Sequence, residues 1–169
     1  FIGFDEHVRE DWLCTASFRP HHVMEVAEQL KYYHPGHVGS EGLMEVTRFL
    51  PRERSLIFLV SDFHMPMDEL EAALALMLRH HIVPVVLWDE AEYKKLPEFG
   101  IASVTDPESG ARRTLLLRKK YRDRIIQHFE DRRAAIHALF MRYDMPPFFI
   151  EHGFDADALT DYFHQYVAA

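Results

Sequence analysis

The feature of this sequence that most constrains its fold is a short apolar run, residues 56–60, that ends abruptly in Ser61 and Asp62. A breaker, Pro66, follows, and then a helical pattern begins. Continuous apolar runs of this length are typical of strands that are buried on both faces of a parallel sheet. In open α/β sheets, ligands bind outside the carboxyl ends of the strands. The run therefore predicts a buried strand that ends in a carboxylate, Asp62, where a cation or a partner could be held.

A helix and a second strand follow this run at the spacing of a βαβ unit. Apolar residues recur at helical intervals over residues 68–80, and residues 82–88 form the next apolar run. Pro84 cannot donate to a ladder, so we expect an irregular start to this second strand. The crossover between the two strands should be right-handed. These elements predict an α/β fold with a mainly parallel sheet, helices on both faces and an antiparallel edge hairpin.

Shorter elements surround the βαβ unit. Hairpins are predicted from residues 1–4 with 12–17 and from residues 101–105 with 113–117, the second pair joined by a turn at 106–110. Helices are predicted from Pro20, over 43–50, over 90–96, over 119–143 and after Asp155, and a last strand over 148–150. The sequence has no repeat and no linker. We therefore expect one domain over residues 1–169.

Composition argues against several classes of protein. A net charge of -8 argues against a nucleic-acid binder, which would show a basic face. Cys14 is the only cysteine, so no internal disulfide or thiolate zinc site can form, which fits a reducing compartment. No apolar run approaches the roughly 20 residues that cross a bilayer. We expect a cytoplasmic protein.

Asp62 is the leading candidate for chemistry. It could hold a divalent cation, or it could cap the next helix or accept loop amide hydrogens. Magnesium needs several oxygen ligands, and Ser40, Ser61 and Thr47 are the nearest hydroxyls by loop position.

The remaining candidate groups give weaker evidence for a catalytic or binding site. The sequence has no nucleophile elbow and no phosphate loop, so no catalytic residue is assigned. The histidines are expected to be solvated or to cap helices, and His80 and His81 lie near the end of a predicted helix, where a cationic imidazole is favourable. The charged residues 130–133 of the longest helix predict a solvated face.

The order of segments resembles a known family. The residues that carry the resemblance are 1–5, 55–63, 79–85, 89–92, 96–100 and 106–110. They resemble a von Willebrand factor A-like domain of the bacterial family named domain of unknown function fifty-eight, which includes MxaS-type proteins. The resemblance implies a Rossmann-like sheet and a gene neighbourhood with a MoxR-type AAA+ ATPase. It also implies a role in assembling or activating other protein complexes.

The resemblance assigns Asp62, and Ser40 in place of a threonine, to a metal-ion-dependent adhesion site. The first motif of that site, Asp-x-Ser-x-Ser, precedes the start of this chain, so we expect no cofactor here and magnesium only in an intact parent protein. The first strand of the family's sheet is missing too. We expect a rearranged sheet, strand exchange in a homodimer, or a strand that exists in a longer parent.

The predicted function is a non-enzymatic protein-interaction module, an adaptor for a MoxR-type AAA+ ATPase and its client proteins. No nucleic acid and no membrane span are expected. One alternative is an enzyme that uses Asp62 as a metal-held or phosphorylated carboxylate. Another is a structural fragment of a larger protein.

Overall fold

The structure, a computed structural model, describes residues 1–14, 20–33, 39, 41–89, 100–105 and 112–166. Its strands are β1 (Ile2–Phe4), β2 (Val8–Leu13), β3 (Leu56–Ser61), β4 (His81–Leu87), β5 (Gly100–Thr105), β6 (Arg112–Leu117) and β7 (Phe148–Ile150). Its helices are α1 (Pro20–Tyr32), α2 (Gly42–Val46), α3 (Met67–Met77), α4 (Lys119–Arg142) and α5 (Ala156–Tyr166). In this part of the chain, no helix is both long and apolar enough to span a membrane.

Three parallel strands form the central sheet, in the order β3-β4-β7. β3 pairs with residues 81–86 of β4 along its whole length, and β7 joins the other edge of β4. Parallel neighbours need a crossover connection, and α3 supplies it between β3 and β4. This helix begins directly after Pro66 and carries two carboxylates in its first turn, which complement the helix dipole. The predicted strand, helix and strand are confirmed, and the fold is mixed α/β.

Side chains alternate between the two faces of a strand, so the apolar strands give the parallel sheet two apolar faces. Helices pack against both of them. On one face the sheet packs against α3 and α4 in a core that includes Leu59, Ile82, Val86, Leu70, Leu74, Ile136 and Phe140. On the other face, Val83 and Val85 of β4 pack with Tyr162 of α5. The central strand, β4, is therefore buried on both sides.

β3 is buried on one face and about half exposed on the other, which corrects the prediction of a strand buried on both faces. Leu59 is buried, whereas the side chains of Leu56, Phe58 and Val60 are 50%, 45% and 51% exposed. These three lie on the α5 side of the sheet, where Phe163 places its ring 6.0 Å from that of Phe58. An apolar run shows that a strand avoids water, but it does not show which neighbours cover it. Within the described residues, β3 is an edge strand.

Pro84 lies in the middle of β4, which corrects the prediction of an irregular strand start. Pairing with β3 runs without a break over residues 81–86. Alternate residues of β4 donate to opposite neighbours: the N–H of His81 points to β3 and the N–H of Trp88 points to β7. Position 84 therefore faces β7, and β7 pairs with β4 only from Val85 onward. The proline removes no ladder hydrogen bond, which explains how a central strand tolerates it.

Two hairpins form, β1–β2 and β5–β6. The second was predicted at its place in the sequence, whereas the second strand of the first hairpin is Val8–Leu13 and not the predicted residues 12–17. Each is a two-stranded sheet of its own, and in the described part of the chain neither joins the parallel sheet. The described residues therefore correct the prediction of an antiparallel hairpin at the edge of the parallel sheet, because both hairpins are separate sheets. The predicted turn 106–110 and the predicted helix 90–96 lie outside the described residues.

The first hairpin is attached to α2 by backbone and carboxylate hydrogen bonds. The N–H of Gly42 donates to the carbonyl oxygen of Asp5 at 3.0 Å, and the N–H of Val8 donates to a carboxylate oxygen of Glu45 at 3.1 Å. The bond from Val8, together with the neighbouring His7, holds the pKa of Glu45 below its usual value. A β-carbon at Gly42 would lie 2.6 Å from the Asp5 oxygen, so this close approach requires glycine.

Candidate functional site

The carboxyl ends of the three parallel strands border an open cleft. Because β3, β4 and β7 run in one direction, the residues that follow them reach the same edge of the sheet. The cleft has a volume of about 620 Å³, and its lining comes from all three strand ends: Asp62, Leu87, Trp88, Asp89, Ile150, Glu151, His152 and Gly153. This is the position at which open α/β sheets bind ligands, so the cleft is the candidate functional site.

A tight turn after β3 presents Asp62 to the cleft. The Oδ1 atom of Asp62 accepts a hydrogen bond from the N–H of His64 at 3.3 Å, and the hydroxyl of Ser61 accepts one from the N–H of Phe63 at 3.0 Å. Phe63 has φ 53°, a conformation that is costly for a bulky residue. Its side chain is fully buried in the core, which compensates for the cost. Asp62 is thus held by its own loop.

Arg132 of α4 holds the same turn from the other side. Its Nε donates to the carbonyl oxygen of Phe63 at 3.2 Å, and a terminal nitrogen donates to the carbonyl oxygens of Phe63 and Met65. A guanidinium suits this task because its donors form a rigid planar fork. The position of the turn therefore depends on a helix more than 60 residues away in sequence.

An aromatic cluster packs beside the cleft. The ring of His64 stacks on Trp88 with 5.8 Å between centroids and 23° between planes. Phe129 of α4 meets both rings edge-on, at 5.7 Å from His64 and 5.9 Å from Trp88. Trp88 is buried and follows β4 directly. The cluster thus connects the turn after β3, the end of β4 and α4.

Three carboxylates line the cleft. Glu151 forms an ion pair with Arg133, whose guanidinium also lies 4.5 Å from the centre of the Phe149 ring. Asp62 and Asp89 come from the ends of the two neighbouring strands β3 and β4. Among the described residues, no group of three or more histidine, cysteine or acidic side chains could hold a metal ion. The described cleft can offer carboxylate oxygens to a basic partner group.

Residues 7–135, more than half of the chain, match the profile of a family described as "Protein of unknown function DUF58". The chain belongs to the DUF58 family. A curated relative from Paracoccus denitrificans, named "Uncharacterized protein in moxR 3'region", is 37% identical over 98 residues, which cover 58% of this chain and 93% of the relative. No solved structure matches the chain. The DUF58 match includes Asp62 and Asp89, and it ends before β7 and its side of the cleft.

The residues that the sequence predicts for a metal site in this DUF58 chain are not all brought together by the structure. Asp62 lies at the carboxyl edge of the sheet and accepts a loop amide hydrogen, which is one of the two structural roles expected for it. It does not cap α3, whose N-cap is Pro66. Ser40 lies outside the described residues. The hydroxyl of Thr47 donates to the carbonyl oxygen of Met44 at 2.8 Å, within α2 and its C-cap.

His80 is neither a solvated nor a cationic helix-capping histidine, the two roles that the sequence predicts for it. Its ring is buried, with the N–H of Ser55 at 3.3 Å from Nδ1 and the Nε–H of Arg79 at 2.9 Å from Nε2. A neutral imidazole can accept only one of these bonds, and a protonated ring could accept neither. Burial, and secondarily the charge of Arg79, lower the pKa of His80. The ring is therefore neutral near pH 7 and joins the end of α3 to the start of β3.

Sequence reasoning did not identify Arg132 as a site residue, and it left open whether Asp89 points to the same edge as Asp62. Arg132 was assigned to a solvated face, yet it is half-buried and donates to the turn after β3. The signal was present: Arg132 lies three residues after Phe129 and four before Ile136, on the apolar stripe of α4. Asp89 ends the second strand of the βαβ unit, and only the sheet register shows that it reaches the same cleft as Asp62.

Proposed function

We propose that this DUF58 chain is a non-enzymatic protein-interaction module that helps a MoxR-type AAA+ ATPase to assemble or activate other protein complexes. The observation that carries the proposal is the Paracoccus relative, which is named for its place in the moxR 3' region. Bacterial genes that lie side by side commonly encode proteins of one process. The lone cysteine supports a cytoplasmic setting for this work.

The cleft at the carboxyl edge is the proposed contact for the ATPase. Its turn is fixed by Arg132 and by the aromatic cluster, and a surface that is already ordered loses little entropy on binding. Asp62 and Asp89 offer negative charge that suits a lysine or arginine of the partner. A von Willebrand A-like arrangement of the sheet, with the cleft in the place of the adhesion site, is part of this proposal.

Binding of the purified ATPase from the same organism tests the proposal directly. Biolayer interferometry with and without ATP should give saturable binding to the wild type. Asp62→Asn and Asp89→Asn each remove one charge and keep the side-chain shape, so each should weaken binding by roughly ten-fold, as expected for a contact worth about 1.4 kcal/mol.

Asp161→Asn is the matched control, because Asp161 is exposed on α5 and does not line the cleft. It should leave binding unchanged. Absence of binding in both nucleotide states would refute the ATPase as partner. Equal losses in all three variants would refute the cleft as the contact.

A second candidate function is an enzyme in which Asp62 is metal-held or phosphorylated, and the presence of Asp89 in the same cleft favours it. Titration calorimetry with magnesium and manganese distinguishes the two functions. Heat of binding that is lost in Asp62→Ala would support metal-dependent chemistry. Equally flat isotherms for the wild type and Asp62→Ala would make such chemistry untenable and leave the interaction module.

A further inference from the structure

The amino end of α4 concentrates positive charge in an otherwise acidic chain. Residues 118–124 contain five of the chain's 19 lysines and arginines and one of its 27 acidic residues. Their formal charge is therefore +4, whereas the rest of the chain carries -12. This basic patch consists of Arg118, Lys119, Lys120, Arg122 and Arg124, and all of them except Arg122 are exposed.

The described fold gives most of these cations no structural role. Farther along the same helix, Arg132, Arg133 and Arg142 each contact an oxygen atom of another part of the chain. Within the described part of the chain, no carboxylate forms an ion pair with the exposed members of the basic patch. One helix therefore carries arginines that hold the fold and, at its amino end, cations that face solvent.

The arrangement of the basic patch costs stability. α4 has no acidic residue in its first turn and no side-chain cap, so the cations lie at the positive end of the helix dipole. Lys120 and Arg124 are four residues apart on the exposed face, and like charges at that spacing repel each other. Contact with an anionic surface would relieve both costs.

We propose that the basic patch binds an anionic phospholipid surface, with its lysines and arginines against the lipid phosphates. Helices that carry clusters of about four to eight such residues are typical of lipid-binding surfaces. Tyr121 lies inside the patch and is 52% exposed, and tyrosine rings anchor proteins at the headgroup level of a membrane. The outer face of a helix is convex, so a flat membrane can meet it without a matching groove.

The charge on the rest of the chain favours lipid over nucleic acid and fixes the orientation. A nucleic-acid binder follows its ligand with a basic face, whereas here the positive charge is concentrated at one helix end. At an anionic membrane, only this end needs to come within the Debye length of about 10 Å. The acidic remainder of the chain is repelled and faces away from the lipid.

Co-sedimentation of the full chain with vesicles tests this proposal and does not depend on the ATPase. The wild type should pellet with vesicles of equal parts phosphatidylglycerol and phosphatidylcholine, but not with pure phosphatidylcholine, and added salt should release it. Lys120→Gln/Arg124→Gln should lower the partition coefficient by about 30-fold, because each cation near an anionic surface contributes about five-fold. This variant should melt no lower than the wild type, because it removes a repulsive pair.

Arg52→Gln/Arg54→Gln is the matched control, because it removes two exposed arginines outside α4 and changes the net charge equally. It should bind the mixed vesicles as the wild type does. A second readout does not depend on charge: Tyr121→Trp should shift its fluorescence to shorter wavelength with the mixed vesicles and not with pure phosphatidylcholine.

A wild type that binds both kinds of vesicle alike, or neither, would overturn the proposal. Equal binding by the two double variants would overturn it too, because the loss would then not belong to α4. Tighter binding of the wild type to polyglutamate or to a DNA duplex than to the mixed vesicles, at the same salt, would assign the basic patch to a protein or a nucleic acid instead.

Discussion

Replacing Arg132 with methionine should destabilise the fold through the turn that carries Asp62. Arg132 donates to the carbonyl oxygens of Phe63 and Met65, two residues whose side chains are buried. Methionine keeps most of the volume and removes the donors. Hydrogen bonds to a charged donor contribute roughly 1.5–3 kcal/mol each, so the free energy of unfolding should fall by about 2–4 kcal/mol. The positive φ of Phe63 would lose its main external support.

Urea unfolding followed by circular dichroism measures this loss. Arg124→Met is the matched control, because Arg124 is exposed on the same helix, and it should change the unfolding free energy by no more than about 0.5 kcal/mol. Arg132→Lys keeps the charge without the planar fork, so it should fall between the control and Arg132→Met. If Arg132→Met costs no more than Arg124→Met, the guanidinium does not hold the turn and the reasoning is refuted.

Three further perturbations test other contacts. The pKa of His80 in the folded protein is lowered from 6.5. As the pH falls, the imidazole is therefore protonated in the unfolded chain before it is protonated in the folded protein. Thermal stability should be full above pH 6.5 and fall below it, and His80→Gln should flatten that slope. Burial raises the pKa of Tyr162 from 10.0 to about 12, so stability should be full below pH 10 and fall towards pH 12. Tyr162→Phe should reduce this alkaline loss. At pH 7 it should lower the urea unfolding free energy by about 1 kcal/mol, because the hydroxyl no longer donates to the carbonyl of Pro146 at 2.6 Å. Gly42→Ala should lower the calorimetric unfolding free energy by about 1–3 kcal/mol, because its methyl meets the Asp5 carbonyl at 2.6 Å.

Local patterns were sufficient to predict the βαβ unit. The apolar run of β3, the breaker Pro66 and the helical stripe of α3 each lie within a few residues of one another, so periodicity records them. The same reasoning predicted Asp62 at the carboxyl edge of the sheet. It could not predict that Asp89 shares the cleft, because that depends on the register between β3 and β4.

The errors arise where a residue's environment comes from distant parts of the chain. His80 was expected in solvent or at a helix cap from its place after a helix, but the fold brings the N–H of Ser55, 25 residues earlier in the sequence, to its buried ring. Pro84 is tolerated because β7, more than 60 residues later, begins to pair one residue beyond it. In both cases the deciding contact is tertiary, and a window along the sequence does not contain it.

The disagreement over β3 has a physical meaning of its own. Its six residues are continuously apolar up to Ser61, which is the pattern of a strand covered on both faces, yet Leu56, Phe58 and Val60 are about half exposed. The central strand β4 has the same pattern and is covered on both faces, so the pattern does predict burial where neighbours exist. The apolar pattern therefore records that a strand avoids water, and the neighbours that each strand finds decide how completely its two faces are covered. Those neighbours come from distant parts of the chain, which is why the pattern of β3 alone could not predict its exposure.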